Sequence, residues 1–98
     1  MRLAQMINQY NTLHNTIGAE LLKIFSGKLP NDEYSIITID NIGEVRINRG
    51  VSSTNGYQSY SFYTIGKGIY FEGDFVTEDG KVVSMNLEMG MDVKVKES

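Results

Sequence analysis

Cysteine is absent from these 98 residues, which removes disulfides, thiolate nucleophiles and cysteine metal sites together. Histidine occurs once, at His14, so a two-histidine zinc site has no second ligand and no Ser-His-Asp arrangement is visible. Tryptophan is missing, and the single proline is Pro30. No apolar run is long enough to span a bilayer. The opening MRLAQMINQY also lacks the continuous apolar stretch of a signal peptide, and no N-x-Ser/Thr acceptor occurs. A cytoplasmic protein without membrane association is expected.

A basic excess is lacking too. The net charge is −3, and residues 67 to 98 hold all of it, with seven acids against four lysines. No basic stripe exists to follow a phosphate backbone, so direct nucleic-acid binding is not expected. Charge of either sign is missing from a long stretch of the chain's start: no formally charged residue lies between Arg2 and Glu20.

What is present reads as one α+β domain over residues 1–98, with a helical part in 1–29 and a sheet in 34–96. Leu3, Met6, Ile7, Tyr10, Leu13, Ile17, Leu21 and Ile24 recur at steps of three and four, one apolar stripe on a helix over 2–26. Gly27 is placed to cap it and Pro30 forbids continuation. The Asn11-Thr12 and Asn15-Thr16 pairs and Gly18 are modest or poor helix formers, which favours a kink there. After Pro30 the period becomes two. Five strands are expected near 34–40, 44–54, 57–65, 69–77 and 81–96, the last keeping its alternation through Met91, Val93 and Val95.

Turn residues then set registers. An Asn41-Ile42-Gly43 loop pairs Ile39 with Val45, and an Asn55-Gly56 type I′ turn pairs Val51 with Tyr60. A Gly66-Lys67 turn pairs Phe62 with Phe71 and Tyr60 with Gly73. A Glu78-Asp79-Gly80 loop pairs Phe75 with Val83 and Ile69 with Met89. All four bury the same face, giving an antiparallel meander packed on the long N-terminal helix. Arg49 falls on that inward face unless a bulge at Gly50 re-aims it, and Glu20 is the natural partner for it. The arrangement resembles the cystatin-like grip as architecture alone, which implies no function.

The outward face carries Tyr57, Tyr63 and Tyr70, with Tyr63 expected across from Tyr70, among Ser59, Ser61, Glu72, Asp74, Ser84, Asn86 and Glu88. Rigid amphipathic tyrosine beside adaptable serine is contact chemistry, although tyrosine also simply suits strands. The carboxylates Glu72, Asp74 and Glu88 sit on an open face with nothing to separate their pKa values, so neither acid–base catalysis nor a metal site is indicated. Gly66-Lys67-Gly68 with Gly73 misses the G-x-G-x-x-G spacing and falls in a hairpin rather than at a helix start. No enzyme class, cofactor or metal is therefore expected.

Two surfaces remain as partner-binding candidates: Tyr57, Tyr63, Tyr70, Glu72, Asp74 and Glu88 on the sheet, and the amide face of the helix at Asn8, Asn11 and Asn15. The leading expectation is a small protein-interaction module, an inhibitor or adaptor, for which the short, motif-free, Asn-rich chain suits a phage or mobile-element origin. The alternative is a homo-oligomeric (homodimeric) structural subunit. A small-ligand binder with a cavity between helix and sheet stands third.

Overall fold

The computed structural model describes residues 2–66 and 69–90. Helix α1 (Arg2–Ser26) precedes five strands: β1 (Tyr34–Ile39), β2 (Gly43–Ser52), β3 (Tyr57–Thr64), β4 (Tyr70–Glu78) and β5 (Lys81–Gly90). The strands form one antiparallel sheet in the order β1-β2-β3-β4-β5. The fold is α+β, a long N-terminal helix packed on a five-stranded meander. The continuation of the last strand through Met91, Val93 and Val95 lies outside the described residues.

Alternation decides the buried face. Ile37, Val45, Ile47, Tyr60, Phe62, Phe71, Phe75 and Leu87 are buried on one side of the sheet, and α1 adds Leu21 and Phe25. The Phe25 ring lies 5.0 Å from Phe62 and 5.8 Å from Phe75, while Tyr60 stacks on Phe75 at 4.9 Å. Each fully buried phenylalanine contributes about 1.5–3 kcal/mol relative to exposure. Phe25, which the helical stripe above does not contain, is thus a main anchor of the helix.

Away from the two bulges, each expected register is off by two residues. Ile37, not Ile39, pairs with Val45. Arg49 pairs with Tyr60 in place of Val51. Phe62 opposes Gly73, and Tyr60 opposes Phe75. Phe71 opposes Met89 and Phe75 opposes Met85. A slip of two leaves every side chain on its original face, so patterning alone does not detect it. Phe62 and Phe71 consequently meet diagonally, edge to face at 6.1 Å. It is Phe62, not Tyr60, that fills the space beside Gly73.

Turn chemistry explains the slips. The β1–β2 loop is Asp40-Asn41-Ile42, closed by Ile42 N–H donating to Ile39 O at 3.1 Å, with Asn41 left-handed (φ 66°). The β2–β3 loop is Thr54-Asn55-Gly56: Ser53 N–H donates to Tyr57 O at 2.9 Å and only Gly56 has positive φ (83°). That is a three-residue loop ending in a left-handed glycine rather than a type I′ turn. The β3–β4 connection includes Lys67 and Gly68, outside the described residues, as is part of the expected Gly66-Lys67 turn. At its start Thr64 is buried and its hydroxyl accepts from Phe71 N–H at 3.2 Å, which locks Thr64 against Phe71.

The last hairpin inverts the expectation. Asp79 (φ 51°) and Gly80 (φ 85°) form a two-residue turn that pairs Glu78 with Lys81. A register shift between Val76 and Thr77 then leaves Val83 unpaired, so Phe75 meets Met85 instead of the expected Val83. Val83, expected inside, is exposed, as is Ile69. A second shift, between Arg49 and Ser52, turns that end of β2 outward, leaving Val51 80% exposed.

Arg49 stays in register opposite Tyr60, just ahead of the shift, and is exposed there. Its guanidinium donates to Asn31 O at 2.9 Å and to Gln58 Oε1 at 3.2 Å. It does not reach Glu20, which pairs with Lys23 at 3.3 Å. The bulge frees carbonyls, and the Gln58 amide donates to Gly50 O at 2.9 Å to replace a ladder partner; buried or half-buried carbonyls need such partners.

Helix α1 is continuous from Arg2 to Ser26. Gly27 is not left-handed; Lys28 N–H closes the end on Phe25 O at 2.8 Å. The stripe is buried only in its second half. Ile17, Leu22 and Ile24 pack on the core beside Leu21 and Phe25. Every residue from Arg2 to Leu13 is exposed. A 25-residue helix is about 37 Å long; its backbone runs nearest β5, while Phe25 reaches across to Phe62 and Phe75. The molecule accordingly extends 54 × 31 × 21 Å, with a radius of gyration of 15.6 Å, where a compact chain of this length measures about 13 Å.

Candidate functional site

The sheet's outer face is built in cross-strand rows. One row runs Ile36–Arg46–Tyr63–Glu72–Glu88, the next Tyr34–Asn48–Ser61–Asp74–Asn86. At the β1 end Arg46 lies 3.9 Å over the Tyr34 ring and donates to Asn48 Oδ1 at 2.8 Å. Stacking and hydrogen bonding hold this cation away from the acids, which gather on β4 and β5. There Glu72 and Glu88 are direct cross-strand partners, a like-charge pairing that destabilises a sheet. Among the described residues the only ion pair is Lys23 with Glu20, so no described cation lies within salt-bridge distance of Glu72, Asp74 or Glu88.

A hollow of about 310 Å³ opens in this region, lined by Tyr63, Glu72, Gly73, Asp74, Asn86 and Glu88 among others. Its polar groups are ordered by their neighbours. Asn86 Nδ2 donates to Asp74 Oδ1 at 3.0 Å, and Tyr70 OH donates to Glu72 Oε2 at 2.6 Å. The hydrogen bond to Glu72 raises the Tyr70 hydroxyl above its usual pKa, with lesser contributions from burial and from the Glu72 and Glu88 charges. The Tyr70 ring lies over Gly90, where an added methyl group would come within 2.7 Å of it.

Of the sequence-derived sheet residues, Tyr63, Glu72, Asp74 and Glu88 thus converge, with Tyr70 beside them. Tyr63 opposes Glu72 and Tyr70 opposes Gly90, so the two tyrosines are not the direct pair expected. Tyr57 stands apart: six residues along β3 from Tyr63 is about 20 Å. Tyr57 opposes Glu78, and the hydrogen bond and charge of that carboxylate raise its hydroxyl pKa. The Arg46–Tyr34 stack was not anticipated, although strict alternation along β1 and β2 places both on this face.

Asn8, Asn11 and Asn15 are all exposed, and Asn15 also borders the space between helix and sheet. Asn8, Gln9, Thr12, Leu13 and Thr16 line a shallow hollow of about 370 Å³ on the helix. These amides lie on the far side of the molecule from the outer sheet face, so the two candidate surfaces do not form one site. The space between helix and sheet is bounded by His14, Gly18, Leu22, Met85 and Leu87, and measures about 240 Å³. That is smaller than the about 300–1,000 Å³ of small-molecule pockets. His14 occupies its rim, its Nε2 2.6 Å from Leu87 O, and so tethers the helix to β5.

Sequence reasoning missed one surface outright. Leu3, Met6, Ile7, Tyr10 and Leu13 belong to the apolar stripe of the helix expected to pack on the sheet, and the structure leaves all five between 50% and 69% exposed. The absence of charge from Arg2 to Glu20 was the available signal, since a helix flank that meets only water normally carries charge.

Among the described residues no group of three or more His, Cys, Asp or Glu side chains is placed to hold a metal, and no helix is long and apolar enough to cross a membrane. Compared with known proteins, the chain matches no family model, no curated protein and no solved structure.

Proposed function

We propose that this chain is a small protein-interaction module, an inhibitor or adaptor, that binds a basic partner through the outer face of its sheet. The observation that carries this reading is the direct cross-strand pairing of Glu72 with Glu88, with no described cation against it, at a hollow that Asp74 and Tyr63 also line. Apposed carboxylates cost a free sheet stability. A lysine or arginine from a partner would remove that cost and gain charge-assisted hydrogen bonds. Tyr63 and Tyr70 supply the rigid aromatic area on which interface energy concentrates.

The test uses the full chain as immobilised bait in a lysate of its native host, beside Glu72→Gln/Glu88→Gln bait, with mass spectrometry of what is retained. A partner held by the unaltered chain, lost from the double variant and released by moderate salt supports the reading. Retention of the same proteins by both baits refutes it.

A further inference from the structure

The first half of α1 leaves an apolar seam with none of the other described residues packed over it, and we infer that a second copy of this chain covers it through an antiparallel helix pair. Leu3, Met6, Tyr10, Leu13 and Ile17 follow one another at intervals of three, four, three and four residues, the seam spacing of a two-helix coiled coil. In one chain this seam is divided. Ile17 and the residues after it pack on the sheet, whereas Leu3, Met6, Ile7, Tyr10 and Leu13 are each at least half exposed.

Three properties select a second copy as the occupant. The first is symmetry. Leu3-x-x-Met6-x-x-x-Tyr10-x-x-Leu13 reads the same in both directions about position 8. When two such helices pair antiparallel, Leu3 meets the other copy's Leu13 and Met6 its Tyr10, while Ile7 lies beside the axis. Reciprocal contact of this kind is what a two-fold interface requires.

The second property is length. Contact with the described part of the sheet begins at His14, bound to Leu87 O. The free overhang from Arg2 to Leu13 is about 18 Å long. An antiparallel partner centred on position 8 ends where that contact begins, so the pair uses the whole overhang without driving the two sheets together.

The third is area and charge. The five side chains offer on the order of 500 Å² of apolar surface, at the upper end of what monomers carry. Two copies would bury on the order of 1,000 Å², at the lower limit for a specific interface. No formal charge lies between Arg2 and Glu20 to be buried or to repel its own copy. Gln9 and Thr12, flanking Leu13, supply a polar rim.

Sedimentation equilibrium of the full 98-residue chain is the test, with circular dichroism as the folding control. The unaltered chain is expected at twice the chain mass at tens of micromolar. Leu3→Lys alone and Leu13→Glu alone should each move it to the chain mass with melting of the sheet unchanged, since neither side chain is buried. Combining Leu3→Lys with Leu13→Glu in one chain should restore the dimer, because antiparallel pairing brings these two positions together. A milder variant, Tyr10→Ser, should raise the dimer dissociation constant at least tenfold should the charged variants fold poorly. A monomeric full chain overturns the inference, as does a dimer indifferent to Leu13→Glu and Tyr10→Ser. A chain that dimerises only after deletion of residues 91–98 also overturns it, and identifies the chain's own end as the occupant.

Discussion

Gly73 leaves no room for a methyl group. A Cβ there would fall on the Asn86 carbonyl oxygen and within 2.8 Å of Phe62 Cζ. The ring could rotate aside, but the carbonyl belongs to the β4–β5 ladder and cannot move without breaking it. Gly73→Ala should therefore cost at least about 3 kcal/mol, the top of the usual overpacking range. Phe71→Ala, which empties a site 1% exposed, should cost about 3–5 kcal/mol. Urea denaturation of both variants checks this, and a Gly73→Ala chain as stable as the unaltered one would show that the strands spread apart there. Tyr70 provides a residue-scale test of the outer face. Its hydroxyl donates to Glu72, so the neutral phenol is favoured and its pKa lies above the ordinary 10.0. The folded pKa being the higher, this interaction is fully present below pH 10 and is lost as pH rises through the folded value. Ultraviolet titration should show a tyrosine ionising late, and Glu72→Gln should shift that step toward the ordinary value.

At the scale of elements, the sequence carried the helix, the five strands and the inward face, because each rests on a period: 3.6 residues for α1, two for the strands. Registers rest on turns, and turns were where the reading slipped. Asn55-Gly56 suggests a type I′ turn, yet only Gly56 adopts positive φ. Asp79-Gly80 does form the short turn, and an unpaired Val83 restores the parity that the turn alone would have lost. A bulge leaves little local trace, since any residue can occupy it. For the site, alternation showed which residues share the outer face, but not that Glu72 faces Glu88 or that Tyr57 lies far from Tyr63, because these depend on register. A substitution pair distinguishes the registers directly. With Val83 exposed, Val83→Thr should change stability by no more than about 0.5 kcal/mol. Leu87→Ala, which opens the core beside α1, should cost about 2–5 kcal/mol. Were Val83 opposite Phe75, burying a hydroxyl there would cost about 1–3 kcal/mol, and thermal or urea melts of the Thr variant would show it.

At the scale of the whole molecule the sheet separates two surfaces. The helix and its open seam lie on one side; Tyr63, Tyr70 and the apposed carboxylates lie on the other. Side chains that share no contacts act additively, so the two surfaces can be disabled one at a time. Tyr63→Ala with Tyr70→Ala should leave the sheet folded, losing about 1 kcal/mol of strand propensity, because neither ring enters the core. The same double variant should keep the mass of the unaltered chain in sedimentation and retain no partner in the bait experiment. Leu13→Glu should do the reverse, abolishing the dimer while each outer face still binds. A dimer built through the helices would carry two outer faces pointing apart, so it could bridge two partner molecules. On a densely coated partner surface the unaltered chain should dissociate at least about tenfold more slowly than the Leu13→Glu chain, through effective concentration alone. In dilute solution, calorimetry should give both the same affinity per site. Equal dissociation rates on the surface would mean that one partner molecule blocks both faces or that the helices do not pair, and the sedimentation mass separates those two outcomes. Loss of dimer in the tyrosine double variant would instead place the self-association on the sheet, in conflict with the free overhang of α1.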